Sequence, residues 1–366
     1  VPDPLRVAYT LEQLWHDVPG GTAIAAIRVA EELVADPRVE LIAVAGRHRR
    51  APEAAFAPPT RVRALPVARP WLYETWIRAG WPLVEAATGP VDVCHATTII
   101  PAASRAPSVV TIHDLAFRRT PERFSRHGVR VMEAALERVR RTSRLVLCSS
   151  EATVADARDA GLDPARLRLV PLGVDPTPAP AGAAAEVRAR YGLPEQFVLF
   201  VGTLEPRKNL SRLVEAVGRL DDPIPLVVAG APGWGGTARD AAEGAVREQV
   251  DVRFLGFVEA EELAGLYAAA TVFAYPSEWE GFGLPVLEGM AQGAPVVTSR
   301  GTSCEEVAGG AAVLVDPLDV ESIAAGLAEA IAAGSALAER GRARATEATW
   351  RRTAELTIAA YEEAAR

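Results

Sequence analysis

Residues 271–299 read TVFAYPSEWEGFGLPVLEGMAQGAPVVTS, and the order of patterns within them decides the architecture. TVFAYPS at 271–277 and APVVTS at 294–299 are short apolar runs of strand type. Between them a glycine-rich turn opens a helix at Leu284 or Pro285, where the fixed φ and missing N–H of proline suit a first turn. A strand, a helix and a second strand in close succession join parallel neighbours, because a parallel pair needs a long crossover. The unit repeats outward: FVLFVG at 197–202, PLVVAG at 225–230, VRFLGFV at 252–258 and AAVLVD at 311–316 are strands separated by helical pattern.

The first half of the chain repeats the theme. LRVAYT at 5–10 precedes a helix over 22–35, VELIAVA at 39–45 precedes one over 71–87, and VDVCHA follows at 91–96. PSVVTIHD at 107–114, a helix near 122–141, SRLVLCSS at 143–150, a helix near 151–160 and RLRLVPLG at 166–173 complete it. Between the halves, PTPAPAGAAA at 176–185 reads as a linker. The 366 residues exceed the roughly 100–200 usual for one domain. The fold class expected is α/β, two Rossmann-like doubly wound parallel-sheet domains over 1–175 and 176–348, with a last helix over 349–366.

Composition is that of an ordinary globular chain, 49% hydrophobic and 23% charged, and the sequence shows no apolar run of the roughly 18 residues that span a bilayer. The opening VPDPLRVAYT lacks a basic, then apolar, leader, so a cytoplasmic location is expected. Cys94, Cys148 and Cys304 lie far apart without CxxC spacing and read as small core residues rather than disulfide or zinc partners. A net charge of −8 argues against broad nucleic-acid binding. Residues 118–144 differ locally, with nine arginines against three glutamates. Arg119, Arg123, Arg126 and Arg130 recur at helical spacing opposite Val129, Met132, Leu136 and Val139. That face is either solvated or a weak peripheral contact with an anionic acceptor or the inner face of a membrane.

Chemistry concentrates after strands. SEWEGFGLPVLEG at 277–289 sets Glu280 and Glu288 around Gly281 and Gly283, where backbone can approach a ligand and a helix start favours phosphate or a polar sugar oxygen. Glu288, four residues after Leu284, leans toward that helix start and can accept two ribose hydroxyls. Glu280 is placed for hydroxyls of a transferred sugar or for positive charge at its anomeric carbon. In FVGTLEPRKNL at 200–210, Gly202 turns the chain after a strand, and Arg207 and Lys208 supply the cations that a departing pyrophosphate needs.

With these motifs, with PLGVD at 171–175 and with VTIHDLAF at 110–117, the sequence resembles the retaining two-domain (GT-B) glycosyltransferases of family 4, over nearly its whole length. TWRRTAELTIAAYEEA at 349–364 is similar to the helix that in the family crosses back to the first domain. The resemblance implies two domains facing a central cleft, with Arg207 and Lys208 on the donor diphosphate, Glu288 on the ribose and Glu280 on the sugar. Phe282, Gly283 and Leu284 would add backbone contacts, and Phe257 and Val258 would flank the base. His113 would meet the donor sugar, and Gly20 and Gly21 would line the phosphate and acceptor side, although the family's commoner Gly-Gly-Ile-Gly form is altered here. Asp114 reads either as a base or as a turn cap.

The reaction so implied is metal-independent, retaining hexosyl transfer without a prosthetic group. A GDP-sugar, GDP-mannose in particular, is favoured over a UDP-sugar, and the acceptor is a glycan, a lipid-linked carrier or a small molecule. A nucleotide-sugar epimerase of the same fold and a catalytically idle scaffold are the alternatives.

Overall fold

The computed structural model describes residues 3–16, 19–233 and 236–366, so Val1 and Pro2 of the opening stretch, and Asp17 and Val18 before Gly20, lie outside the described residues. The chain forms two compact units. One comprises the residues up to Leu172 together with Trp350–Arg366, and the other Gly173–Thr349. Each is a wholly parallel sheet wrapped by helices, as the alternation of strand and helix patterns requires.

Unit 1 runs β1 (Leu5–Thr10), α1 (Gly20–Ala35), β2 (Val39–Ala45), β3 (Arg63–Ala64), α2 (Trp71–Ala79), α3 (Glu85–Thr88), β4 (Val93–Ala96) and β5 (Ser108–Ile112). It continues through α4 (Ala116–Arg119), α5 (Arg126–Thr142), β6 (Leu145–Cys148), α6 (Glu151–Asp159) and β7 (Leu167–Leu169). The sheet order is β3-β2-β1-β4-β5-β6-β7. Unit 2 runs α7 (Ala183–Tyr191), β8 (Val198–Val201), α8 (Leu210–Gly218), β9 (Leu226–Ala229), α9 (Thr237–Glu248) and β10 (Val252–Gly256). After these come α10 (Ala260–Ala269), β11 (Val272–Tyr275), α11 (Leu284–Ala291), β12 (Val296–Ser299), α12 (Ser303–Ala308), β13 (Val313–Val315) and α13 (Val320–Glu347). Its order is β10-β9-β8-β11-β12-β13.

Central strands are inaccessible on both faces: Val198, Leu199 and Phe200 in β8 and Val272, Phe273 and Ala274 in β11 are buried. This is why they read as continuous apolar runs rather than alternating ones. Each such Val, Leu or Phe contributes about 1.5–3 kcal/mol by leaving water. All three cysteines are buried and free.

The last helix, α14 (Trp350–Ala364), packs on α1, β5 and β6 of unit 1. The Thr353 hydroxyl donates to the Pro171 carbonyl at 2.8 Å, and Arg168 pairs with Glu363. The units divide three residues before the boundary expected at 175/176, since Val174 bridges Thr349 within unit 2. Nor is 176–185 all linker, because Ala183 begins α7. The single helix expected over 71–87 is two: α2 ends at Gly80, whose φ of +63° is a left-handed cap, and Pro82 prevents its continuation. The helix near 122–141 starts later, at Arg126, where the Ser125 hydroxyl accepts from the Gly128 N–H at 3.0 Å.

Among the described residues one helix, α13, is long and apolar enough by length and composition to cross a membrane, which corrects the expectation from the apolar runs. Its backbone breaks at Gly334, and Ile323, Leu327, Ala330 and Leu337 are buried in packing against α8, α11 and the sheet of unit 2.

Candidate active site

β8 and β11 are adjacent in unit 2, but the chain leaves them in opposite directions, toward β9 and β10 on one side and β12 and β13 on the other. The carboxyl ends of such a pair are where an open α/β sheet leaves a crevice. The two sequence motifs are the segments that follow these two strands.

After β8 the backbone turns at Gly202, with φ +146°. A Cβ on Gly230, which follows β9, would lie 2.0 Å from the Gly202 carbonyl oxygen, so only glycine permits this approach of the two loops. Residues 206–208 form one 3₁₀ turn, and Asn209, at φ +65°, leads into α8. The Asn209 amide donates to the carbonyls of Pro276 and Pro317, and the Ser277 hydroxyl donates to the Arg207 carbonyl, so the Arg-Lys turn is fastened to the β11 loop. Lys208 is buried, with Nζ 5.6 Å from the centre of the Tyr275 ring, a cation–π distance. A Cβ on Gly202 would meet that ammonium at 2.6 Å; the glycine makes its room.

Arg207 forms an ion pair with Glu280, donates from Nε to Glu205 at 2.8 Å, and donates to the Trp279 carbonyl at 3.1 Å. Glu280, only 9% exposed, accepts on its other oxygen from the Tyr275 hydroxyl at 2.7 Å and from Ser277 at 3.1 Å. Burial pushes its carboxyl up, but Arg207, Lys208 and these hydrogen bonds outweigh that and hold it below the usual range. Glu280 is therefore a fixed anion, engaged by protein on both oxygens rather than open as the sequence suggested.

The turn then passes Phe282, which is buried, to Gly283 at φ +109°, where a Cβ would sit 2.8 Å from the Cys304 Sγ. Leu284 and Pro285 form the first turn of α11. One turn on, half-buried Glu288 accepts from the Tyr267 hydroxyl at 3.1 Å. Burial raises its carboxyl, partly offset by Tyr267 and by the charge of Lys208. The two carboxylates of one motif are thus driven apart: Glu280 is stabilised as an anion and Glu288 is not, which leaves Glu288 the group that gains from an added hydrogen-bond donor.

The structure brings Gly202, Arg207, Lys208, Glu280, Phe282, Gly283, Leu284 and Glu288 to one switch point. Phe257 and Val258 follow β10 at the sheet edge, two strands from β8, with Phe257 exposed and Val258 buried; the Gly256 carbonyl accepts from Gly230 N–H at 2.7 Å. Sequence reasoning missed Tyr275, Tyr267, Ser277 and Asn209. Their chemistry depends on neighbours from another element, although an asparagine between Arg-Lys and a helix is itself a signal of a left-handed turn.

In unit 1, Gly20 takes φ +61° and, with exposed Gly21, opens α1. His113 follows β5, and its Nε2 lies 3.2 Å from the Thr97 carbonyl, so Nε2 carries the proton and Nδ1 keeps a lone pair that can accept a hydroxyl. Asp114 accepts from the Ala116 N–H at 2.9 Å, the turn-cap reading of that residue. Neighbouring His95 is buried between the Tyr361 hydroxyl of α14 at 2.6 Å and Thr111 at 2.8 Å. His95, His113 and Thr97 help line a cavity of about 30 Å³, room for about one water.

Burial lowers His113 to about 4, and burial with the nearby His113 charge lowers His95 to about 3. Both are neutral in the fold at pH 5, whereas in the unfolded chain they take up protons near pH 6.5. Stability contributed by a depressed histidine is lost as pH falls below the unfolded value. Between pH 7 and pH 5 each is expected to remove on the order of 2 kcal/mol, with Glu288 acting in the opposite sense. Urea midpoints at the two pH values check this, and His95→Gln should abolish a substantial part of the difference.

The comparisons with known proteins follow this geometry. Residues 185–348 match the family described as Glycosyl transferases group 1, and residues 19–178 match Glycosyltransferase Family 4. The chain is 35% identical over 266 residues to O-antigen chain mannosyltransferase B of Escherichia coli, covering 69% of this chain and 70% of that one. It is 34% identical over 241 residues to an MMP alpha-(1->4)-mannosyltransferase of Mycolicibacterium hassiacum, covering 62% of this chain and 56% of the other. Among solved structures, the Anabaena protein HepE in complex with UDP and glucose superposes with a TM-score of 0.73 over 97% of this chain and 98% of its own, at 20% identity, a likeness of fold. With two parallel α/β units of the GT-B kind, and with motif glutamates and cations at the switch point of the second, the chain belongs to the group 1, family 4 glycosyltransferases.

Proposed function

We propose that this glycosyltransferase moves a hexose, mannose from GDP-mannose, onto an acceptor hydroxyl with retention of anomeric configuration and without a metal ion. The observation that carries the reading is the convergence of Arg207, Lys208 and the start of α11 at the β8/β11 switch point, with Glu288 one turn along the same helix. Arg207 and Lys208 neutralise the diphosphate as the bond to the anomeric carbon breaks, the work a divalent ion does elsewhere. Glu288 accepts ribose hydroxyls. Glu280, held anionic, stabilises the oxocarbenium-like carbon, and its low pKa leaves it unsuited to give a proton. The acceptor hydroxyl attacks from the face the diphosphate leaves, and its proton passes to the departing phosphate oxygen.

His113, neutral and with Nδ1 free to accept, is the residue of unit 1 we assign to a sugar hydroxyl, and Gly20 and Gly21 are assigned to the acceptor side. Mannose is favoured by the two mannosyltransferase relatives, and UDP-glucose is the control donor because HepE was solved with UDP and glucose. Three free cysteines suit a reducing, cytoplasmic compartment. Proton NMR of the first product from GDP-mannose and methyl α-mannoside tests the reading. An α-linked product, formed at an unchanged rate in EDTA, is expected; a β-linked product or loss of turnover in EDTA overturns the retaining, metal-independent mechanism.

A further inference from the structure

Both strongly exposed tryptophans of the described residues belong to one region of unit 1: Trp71, 69% exposed, opens α2, and Trp81, 54% exposed, follows its cap. Phe124, 38% exposed, precedes α5. The two helices lie side by side. His127 Nε2 is 3.9 Å from the Glu74 carboxylate near the start of α2, and the Arg138 guanidinium lies against Gly80 at its end, 2.6 Å from where a Cβ would be. Trp71 and Trp81 therefore flank the N-terminal two thirds of α5, the helix that presents Arg126, Arg130, Arg140 and Arg141 to solvent.

Charge on this face is counted with its opponents. Glu133 pairs with Arg118, Glu137 with Arg140 and Arg141, and Glu122 lies by Arg123. From facing elements, Asp156 of α6 holds Arg119, and Glu74 is matched by Arg78 within α2. The nine arginines of 118–144 still exceed their opponents by five in a chain whose net charge is −8. The indoles stand ten residues apart, roughly 15 Å along a helix, each among arginines rather than within one contiguous apolar patch. A protein partner would call for a contiguous apolar centre with charge at the rim. Separated indoles interleaved with arginine match the headgroup layer of an anionic bilayer, where aromatic rings sit at the polar–apolar boundary and basic side chains meet lipid phosphate.

We infer that the α2–α5 face, with Trp71, Trp81 and Phe124 inserted and Arg126 and Arg130 on lipid phosphates, docks this enzyme on an anionic membrane surface. The inference stands apart from the donor chemistry. It is tested by sedimentation of the full chain with phosphatidylcholine vesicles carrying 30% phosphatidylglycerol or none, in 50 mM and 500 mM NaCl, with brominated lipid as a quencher of tryptophan.

Retention on anionic vesicles at low salt, its loss at high salt, and quenching that disappears in Trp71→Ser/Trp81→Ser are expected. Arg126→Gln/Arg130→Gln should weaken partitioning about twentyfold, at about 1 kcal/mol per arginine. Arg239→Gln/Arg247→Gln, which removes the same charge from exposed positions of α9, should leave it unchanged. Circular dichroism melts confirm that each variant is folded. Equal retention on neutral vesicles, no retention at 50 mM NaCl, or a tryptophan double variant that binds and is quenched like wild type overturns the inference.

Discussion

Arg207→Ala is expected to lower kcat/KM about a thousandfold and to destabilise unit 2 by about 3 kcal/mol. The stability loss has a local cause. Glu280 is buried and anionic because Arg207 faces it; truncating the guanidinium leaves a carboxylate with the Tyr275 and Ser277 hydroxyls and the Lys208 charge. Breaking a buried pair on one side costs about 3–5 kcal/mol, and the remaining cation places this case at the lower end. The rate loss has another cause. Removing one preorganised charge-stabilising donor costs about 10²–10³ in turnover, and Arg207 also positions the diphosphate. The double variant Arg207→Ala/Glu280→Gln separates the two: it should recover much of the stability and none of the turnover. Thermal melts and initial rates with GDP-mannose measure both.

Glu288→Ala is expected to do the reverse, weakening nucleoside diphosphate binding by about a hundredfold while leaving the ligand-free protein no less stable. A hydrogen bond to a charged acceptor contributes about 1.5–3 kcal/mol, so loss of a carboxylate that holds two ribose hydroxyls reaches that magnitude. In the empty protein the same carboxylate is disfavoured, since burial raises its pKa and one printed partner, the Tyr267 hydroxyl, supports it. Removing it relieves that desolvation and costs Tyr267 a partner, two effects of similar size and opposite sign. A residue whose loss harms binding and spares stability is retained for binding.

Much of this was legible before any coordinates, for identifiable reasons. Strands buried on both faces announce themselves as apolar runs, so β8, β11 and β12 were found near their true bounds. Motif residues such as Arg207, Lys208 and Glu280 were found because the crevice of a doubly wound sheet takes its residues from the segments just after strands. The two-residue β3 carries no periodicity of its own: it exists because the Leu65 N–H and Arg63 register pair with the end of β2. The break after α2 was hidden because Trp81 and Leu83 continue an apolar pattern across a left-handed glycine.

Partnerships were harder to read than positions. Nothing in SEWEGFGLP says that Glu280 is occupied on both oxygens, since Tyr275 and Arg207 come to it from a strand end and a turn about seventy residues earlier. Nor does VTIHD reveal that His113 shares a cavity with His95, which depends on β4 and β5 lying side by side.

The most direct test is a calorimetric titration of the full chain with GDP and with UDP, repeated on Glu288→Ala and Arg207→Ala. The account predicts saturable binding of a nucleoside diphosphate to wild type, weakened about a hundredfold in Glu288→Ala and comparably in Arg207→Ala, with both variants folded. Binding of equal strength in all three proteins, or no binding of either nucleotide to wild type at millimolar concentration, would contradict a donor site at the β8/β11 switch point.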